Sequence, residues 1–289
     1  MIATTSDPDV RRAYARDVSG LELTPEFVSR PTSAAETVEV LKEAYAARIP
    51  VTTAGAQSST TAASITDSGI LMSLRGLAGG IAVNVETRTV RVDAGVIVAD
   101  VRRAAAEHGL LFAPDPTSEE ESTVGGAVAC NASGARSLRY GATRPHVHAL
   151  TVALADGTVH EFRRSEIEKN TVGYALAHNP VDWFIGSEGT LGVVLSAEFS
   201  LLPLPLQTIG LAIPFPDEAS ALAFVSDARR SQTLNARCLE YFDHLALAIA
   251  RAREGTNAPG VQGSCMVYAE ETGSDTNPDA ELPLDAWLE

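Results

Sequence analysis

The stretch Thr123-Val124-Gly125-Gly126-Ala127-Val128-Ala129-Cys130-Asn131-Ala132-Ser133-Gly134 decides how this chain is read. It is too small and uncharged for an ordinary surface loop, and too rich in glycine for a helix interior. Pro114-Asp115-Pro116-Thr117-Ser118 stands just before it, with Ser122 between. Small side chains let a backbone approach a ligand closely, and hydroxyls add hydrogen-bond donors. The charge pattern is a separate signal. The chain carries 37 acidic against 22 basic residues, a net charge of −15, yet residues 122–155 contain no acid at all. The same window holds Arg136, Arg139, Arg144, His146 and His148. An anionic ligand would benefit, whether through arginine or through backbone donors. Chance clustering in a buried, strand-rich region would leave the same pattern.

Two further segments concentrate small residues. Thr53-Ala54-Gly55-Ala56-Gln57-Ser58-Ser59-Thr60-Thr61-Ala62-Ala63 follows a strand-like run and lies in a second acid-free window, residues 44–66. Successive backbone N–H groups in such a loop can form an anion-holding concavity suited to a pyrophosphate. A tight surface loop has the same composition. Gly186-Ser187-Glu188-Gly189-Thr190-Leu191-Gly192 has glycine spacing that imitates a dinucleotide fingerprint, but a strand-like run follows it, so the Rossmann context fails. A P-loop is excluded as well. The only lysines, Lys42 and Lys169, follow Leu41 and Glu168, outside any Gly-Lys-Ser/Thr sequence. Any phosphate must be held by backbone amides, hydroxyls and arginine.

Around these loops the periodicity predicts a helix from Ser33 to about Arg48, with Ser33 and Glu36 as a capping box. A second helix runs over residues 98–108, closed by Gly109. Strands are predicted at 50–53, 70–74, 81–85, 89–92 and 192–202, with a hairpin of 150–154 and 158–162 around Asp156-Gly157. Residues 1–30 show no clear period. Pro203 and Pro205 mark a boundary, after which strand–helix–strand–helix–strand follows at 208–213, 218–229, 237–241, 245–253 and 264–269. The acidic tail 273–289 reads as disordered or as parted from its packing neighbours.

The acidic balance argues against a general nucleic-acid or anionic-membrane binder, and no stretch approaches a membrane span or a signal peptide. Cys130, Cys238 and Cys265 are distant and odd in number, which predicts buried free thiols in a reducing cytoplasm. His146 and His148 lack a nearby third ligand, so no metal site is predicted.

Taken in order and at family spacing, these segments, with Arg139-Tyr140-Gly141 and Lys169-Asn170-Thr171-Val172-Gly173-Tyr174, resemble the FAD-binding domain of the vanillyl-alcohol oxidase and p-cresol methylhydroxylase (PCMH) superfamily. The D-lactate dehydrogenase and glycolate oxidase flavin-subunit branch is the nearest in pattern, over residues 28–205. The resemblance implies an α+β fold: a two-subdomain PCMH-type FAD-binding domain over residues 1–205, then the start of a ferredoxin-like substrate or cap domain over 206–289. It implies that Thr53, Ala54, Gly55, Ala56, Gln57, Ser58 and Ser59 hold the pyrophosphate. Pro116, Thr117, Ser118, Ser122, Thr123, Gly125, Gly126, Ala129, Cys130, Asn131, Ala132 and Ser133 would lie along the flavin and its phosphates. Glu188, Gly189, Thr190, Gly192, Val193 and Val194 would contact the adenine–ribitol side.

The chain departs from the family pattern at three places. Ala54 stands at a frequent arginine, Gln57 at a usual glycine, and Ser58 where some relatives attach FAD covalently through histidine, so FAD is expected to be non-covalent. The implied reaction is oxidation of a small 2-hydroxy acid, of D-lactate or glycolate type, by hydride transfer to flavin N5. Electrons would pass to a quinone, a cytochrome or a partner subunit. Arg136, Arg139 or Arg144 could hold a substrate carboxylate or serve as structural ion pairs. No residue is identifiable as the general base, which is expected outside this chain, read as an N-terminal fragment. A flavin-binding module without turnover, or a subunit docking on a redox partner through the edge of its cap, are the alternatives.

Overall fold

The computed structural model describes residues 3–165, 169, 171, 179–254, 264–273 and 282–288. It is a mixed α and β architecture of two compact units: Met1–Ser133 with Ala142–Leu202, and Gly134–Gly141 with Pro203–Glu289. Most of the Lys169–Tyr174 motif and most of the acidic tail lie outside the described residues.

In the first unit, three short parallel strands pair in the order Phe27–Ser29, Ile70–Ser73, Val51–Ala54. The Ala34–Ala47 helix packs on this sheet. Ser33 Oγ accepts from the Glu36 amide at its N-terminus, and Arg48 closes it in the left-handed region at φ 56°. The capping box is a variant, because the Glu36 carboxylate reaches back to the Thr32 amide at 2.7 Å. A second, antiparallel sheet has five strands in the order Ile81–Asn84, Thr89–Asp93, Val193–Ser200, Val147–Ala153, Val159–Arg163. The hairpin turns at Asp156-Gly157 as expected. Gly157 has φ 79°, and Asp156 Oδ1 accepts from the Thr158 amide.

The inner face of this sheet builds the main core with the Val98–Ala106 helix. Phe112 and Phe199, both fully buried, meet edge to face at 5.0 Å. Burying each such side chain is worth roughly 2–3 kcal/mol. A smaller cluster of Val40, Leu41, Met72, Leu74, Leu77, Val193 and Leu195 lies between the Ala34–Ala47 helix and the sheets.

The segment read as too glycine-rich for a helix is in fact the Val124–Ala129 helix. Tertiary contact overrides propensity here. The Thr123 hydroxyl caps it by accepting from the Gly126 amide, and Gly125 packs against the Ala94 backbone. A Cβ at Gly125 would fall 2.8 Å from Ala94 Cβ. Residues 1–30 are less irregular than their lack of period implied. They contain the Pro8–Ala13 helix, whose Asp7 side chain accepts from the Asp9 and Val10 amides, and an isolated bridge from Arg16 to Glu22. His146 ends a 3-10 turn, Arg144–His146, and His148 lies in the strand Val147–Ala153.

In the second unit, Thr208–Phe215 and Ala236–Phe242 flank Cys265–Thr272 in an antiparallel sheet, with helices Glu218–Arg230 and His244–Glu254. The described end of the tail is ordered: Leu284–Leu288 is helical. Trp287 is buried beside Phe224, and its indole N–H donates to Glu271 Oε2 at 3.1 Å. Cys238 and Cys265 are buried and outside any disulfide, but Cys130 is exposed, because it stands on the wall of a cavity. No helix among the described residues is long and apolar enough to cross a membrane.

Candidate functional site

The three small-residue segments converge within the first unit. Glycine makes each approach possible. A Cβ on Gly55 would fall 2.4 Å from Thr123 Oγ1, and one on Gly189 would fall 2.5 Å from Thr53 Oγ1. Ser118 Oγ lies 3.4 Å from Ser58 Oγ, and the Glu188 amide donates to the Ala129 carbonyl at 2.9 Å. Between the segments lies a cavity of about 760 Å³, within the 300–1,000 Å³ usual for ligand sites.

The cavity wall includes Thr53, Ala54, Gly55, Ala56, Gln57, Ser58 and Ser59 from the first segment. Pro116, Thr117, Ser118, Ser122, Thr123, Gly125, Gly126, Ala129, Cys130, Ala132 and Ser133 come from the second, and Glu188, Gly189, Gly192 and Val194 from the third. Three residues of the sequence-derived set stand outside the wall. Asn131, at φ 47°, turns its Oδ1 to accept from the Arg144 amide at 2.9 Å. Thr190 donates to the Ser187 carbonyl at 2.7 Å, and Val193 is buried in the smaller core cluster. The sequence reading missed Val18, Leu74, Ala94 and Phe184, none of which carries a local signal. It also missed Glu120 and Glu121, whose charge runs against an anionic ligand.

The donors of the site are neutral. The amides of Ala56, Gln57, Ser58 and Ser59 donate to no protein acceptor among the described residues. Ser122 Oγ is buried without a partner among the described residues. A buried hydroxyl left unpaired costs about 1–3 kcal/mol, so a ligand that accepts from it recovers that cost.

The arginines are engaged elsewhere. Arg144 donates to Asp182 Oδ1 at 3.1 Å, and Arg164 grips both oxygens of the same carboxylate at 2.6 and 2.9 Å. The bonds from Arg164 are the main reason the Asp182 carboxyl is held below its ordinary range. Arg144 also donates to the Ile185 carbonyl, so the pair supports the turn that places Phe184, Ser187 and Glu188 at the cavity. In the second unit, Arg136 grips Glu270 through two bonds, at 2.9 and 3.1 Å. Arg237 and Tyr268 add bonds to the same carboxylate at 2.7 and 3.0 Å. Burial pushes the Glu270 carboxyl up, but the two arginines outweigh it and hold it down. Arg139 bonds Thr272 Oγ1 and the Asn235 carbonyl. Arg136 and Arg144 thus take the role of structural ion pairs, whereas Arg139 bonds only neutral groups among the described residues.

The loop geometry therefore fits an elongated phosphate ester held by amides and hydroxyls, and the comparisons name a ligand of that class. Residues 25–163 match the model of the FAD binding domain. The chain is 34% identical over 202 residues to a D-lactate dehydrogenase of Anaerostipes hadrus, covering 70% of this chain and 41% of that protein. It is 34% identical to a D-lactate dehydrogenase of Archaeoglobus fulgidus, over 79% of this chain and 50% of the other. It is 31% identical to the glycolate oxidase subunit GlcD of Bacillus subtilis, over 78% and 47%. The chain thus spans about half the length of the curated relatives it matches. Its fold is shared with a solved alkyldihydroxyacetonephosphate synthase, with TM-score 0.75 and 17% identity over 94% of this chain and 53% of that one. Residues 25–163 thus carry the match to the FAD binding domain, and the chain shares its fold with that synthase.

Proposed function

We propose that this chain is the flavin-binding part of an FAD-linked oxidoreductase that oxidises a small 2-hydroxy acid of the D-lactate or glycolate class. One observation carries the reading: three segments distant in sequence bring unclaimed amides at residues 56–59 and the orphaned Ser122 hydroxyl to one cavity. When bound, FAD supplies the electron-accepting chemistry, taking a hydride at N5.

The chain's own residues bind and orient it. The amides and hydroxyls of 53–59 hold the diphosphate. Pro116, Thr117, Ser118, Ser122, Thr123, Gly125 and Gly126 lie along the phosphates and ring with Ala129, Cys130, Ala132 and Ser133. Glu188, Gly189, Gly192 and Val194 line the nucleotide side, while Asn131, Thr190 and Val193 shape the turns and core behind them. Ser58 offers no imidazole for a covalent link, so FAD is held non-covalently. In this reading the FAD-binding domain spans residues 1–205, and residues 206–289 begin a ferredoxin-like substrate or cap domain. Substrate hydroxyl deprotonation falls to a base outside this chain, and a quinone, cytochrome or partner subunit takes the electrons.

A second reading, a flavin-binding module without turnover, draws support from the arginines. All three candidates for a substrate carboxylate are spent on internal partners. Purified chain reconstituted with FAD and mixed anaerobically with D-lactate or glycolate separates the two. Bleaching of the visible flavin absorbance supports the enzyme, and a spectrum that persists supports the module.

A further inference from the structure

Gln57 has φ 57°, in the left-handed region that side chains disfavour. A non-glycine residue persists there only when its surroundings hold it. Here the holding groups are visible. Gln57 Nε2 donates to the Tyr14 carbonyl at 3.0 Å and to the Ser64 carbonyl at 3.1 Å. One carboxamide thus joins an N-terminal strap, the small-residue loop, and the return of that loop. Two more bonds run in parallel: the Val18 amide to the Ser59 carbonyl at 3.1 Å, and Ser64 Oγ to Asp17 Oδ2 at 3.4 Å. Ala15, within this strap, is fully buried, and Val18 reaches the cavity wall. The latch uses the side-chain donors of Gln57 and leaves the backbone amides of 56–59 unclaimed.

We propose that Gln57 is a positioning residue: its carboxamide latches residues 14–18 onto residues 56–64 and sets the cavity wall in its binding form before a ligand arrives. Preorganisation of this kind lowers the ordering cost of binding. The latch itself stands on the protein's own geometry. Its effect on the cofactor rests on the flavin reading above.

Hydrogen exchange on the full chain without ligand tests the latch through two variants. Gln57→Glu keeps the shape and removes both donors, while Gln57→Gly also removes the backbone cost. Both should exchange at least about 10-fold faster at the Val18 amide, which donates to the Ser59 carbonyl, while the strand Val193–Ser200 stays at the wild-type rate. Exchange at the wild-type rate in Gln57→Gly would overturn the latch. FAD titration of the same proteins tests positioning: the variants should bind about 10-fold more weakly with the thermal midpoint little changed. Equal affinity in wild type and both variants overturns it. If the wild type takes up no FAD, the flavin reading and the positioning effect fall together, and the exchange rates alone decide the latch.

Discussion

The loop of residues 53–64 and the arginine knots around Asp182 and Glu270 handle charge in opposite ways. Both begin in acid-free windows of the sequence. The loop has no cation, and the amides of 56–59 remain available for a ligand. The knots gather Arg144 and Arg164 on Asp182, and Arg136 and Arg237 on Glu270, so their donors are consumed inside the protein. A window cleared of acids along the chain is therefore not cleared in space. Asp182 is 38 residues from Arg144, and Glu270 is 134 from Arg136. What remains for an anion is the neutral cradle.

The contrast can be broken or sharpened at several positions. The largest effect is expected at Gly125, where the cradle's helix touches the Ala94 backbone. Gly125→Val should cost about 3 kcal/mol in urea unfolding and abolish flavin binding, because backbone must move to admit the side chain. A fully stable variant would show that the approach is not tight.

Next is Asp182→Asn, which strands two partly buried guanidinium groups and should cost about 1–2 kcal/mol after allowing for solvent screening. The pH dependence has a definite sign. The folded Asp182 carboxyl titrates below its ordinary value of 3.8, so its contribution is fully present above that value and is lost as pH falls through the folded value. Acid titration of the wild type should therefore show a loss of stability below about pH 4 that Asp182→Asn lacks.

Ser122→Ala should leave stability unchanged or slightly raised, since the hydroxyl has no partner among the described residues, while weakening FAD about 5- to 10-fold by titration. The smallest effect is in salt. A cradle of neutral donors should change its FAD affinity by less than about 3-fold between 50 and 300 mM salt, whereas an arginine grip would fall more steeply.

Much of this was legible where a local rule coincides with the fold. Ser33 and the apolar spacing after it mark the Ala34–Ala47 helix, and Asp156-Gly157 marks the hairpin. The cavity segments were legible because close backbone approach demands glycine and small polar residues in consecutive runs. What escaped is set by contacts remote in sequence. Gly125 and Gly126 oppose a helix by propensity, and the packing against Ala94 installs one. Val18 and Phe184 are ordinary apolar residues until folding puts them at the cavity. Trp287 looked like part of a polar tail, yet it is buried against Phe224.

The central claim is that neutral donors grip a diphosphate, and calorimetric titration with FAD, riboflavin and adenosine isolates it. FAD should bind saturably and be released intact on denaturation, and it should bind about 100-fold or more tighter than riboflavin or adenosine, added singly or together, because FAD alone of the three carries the diphosphate. Equal affinity for FAD and riboflavin, or no saturable heat with FAD, would contradict the account.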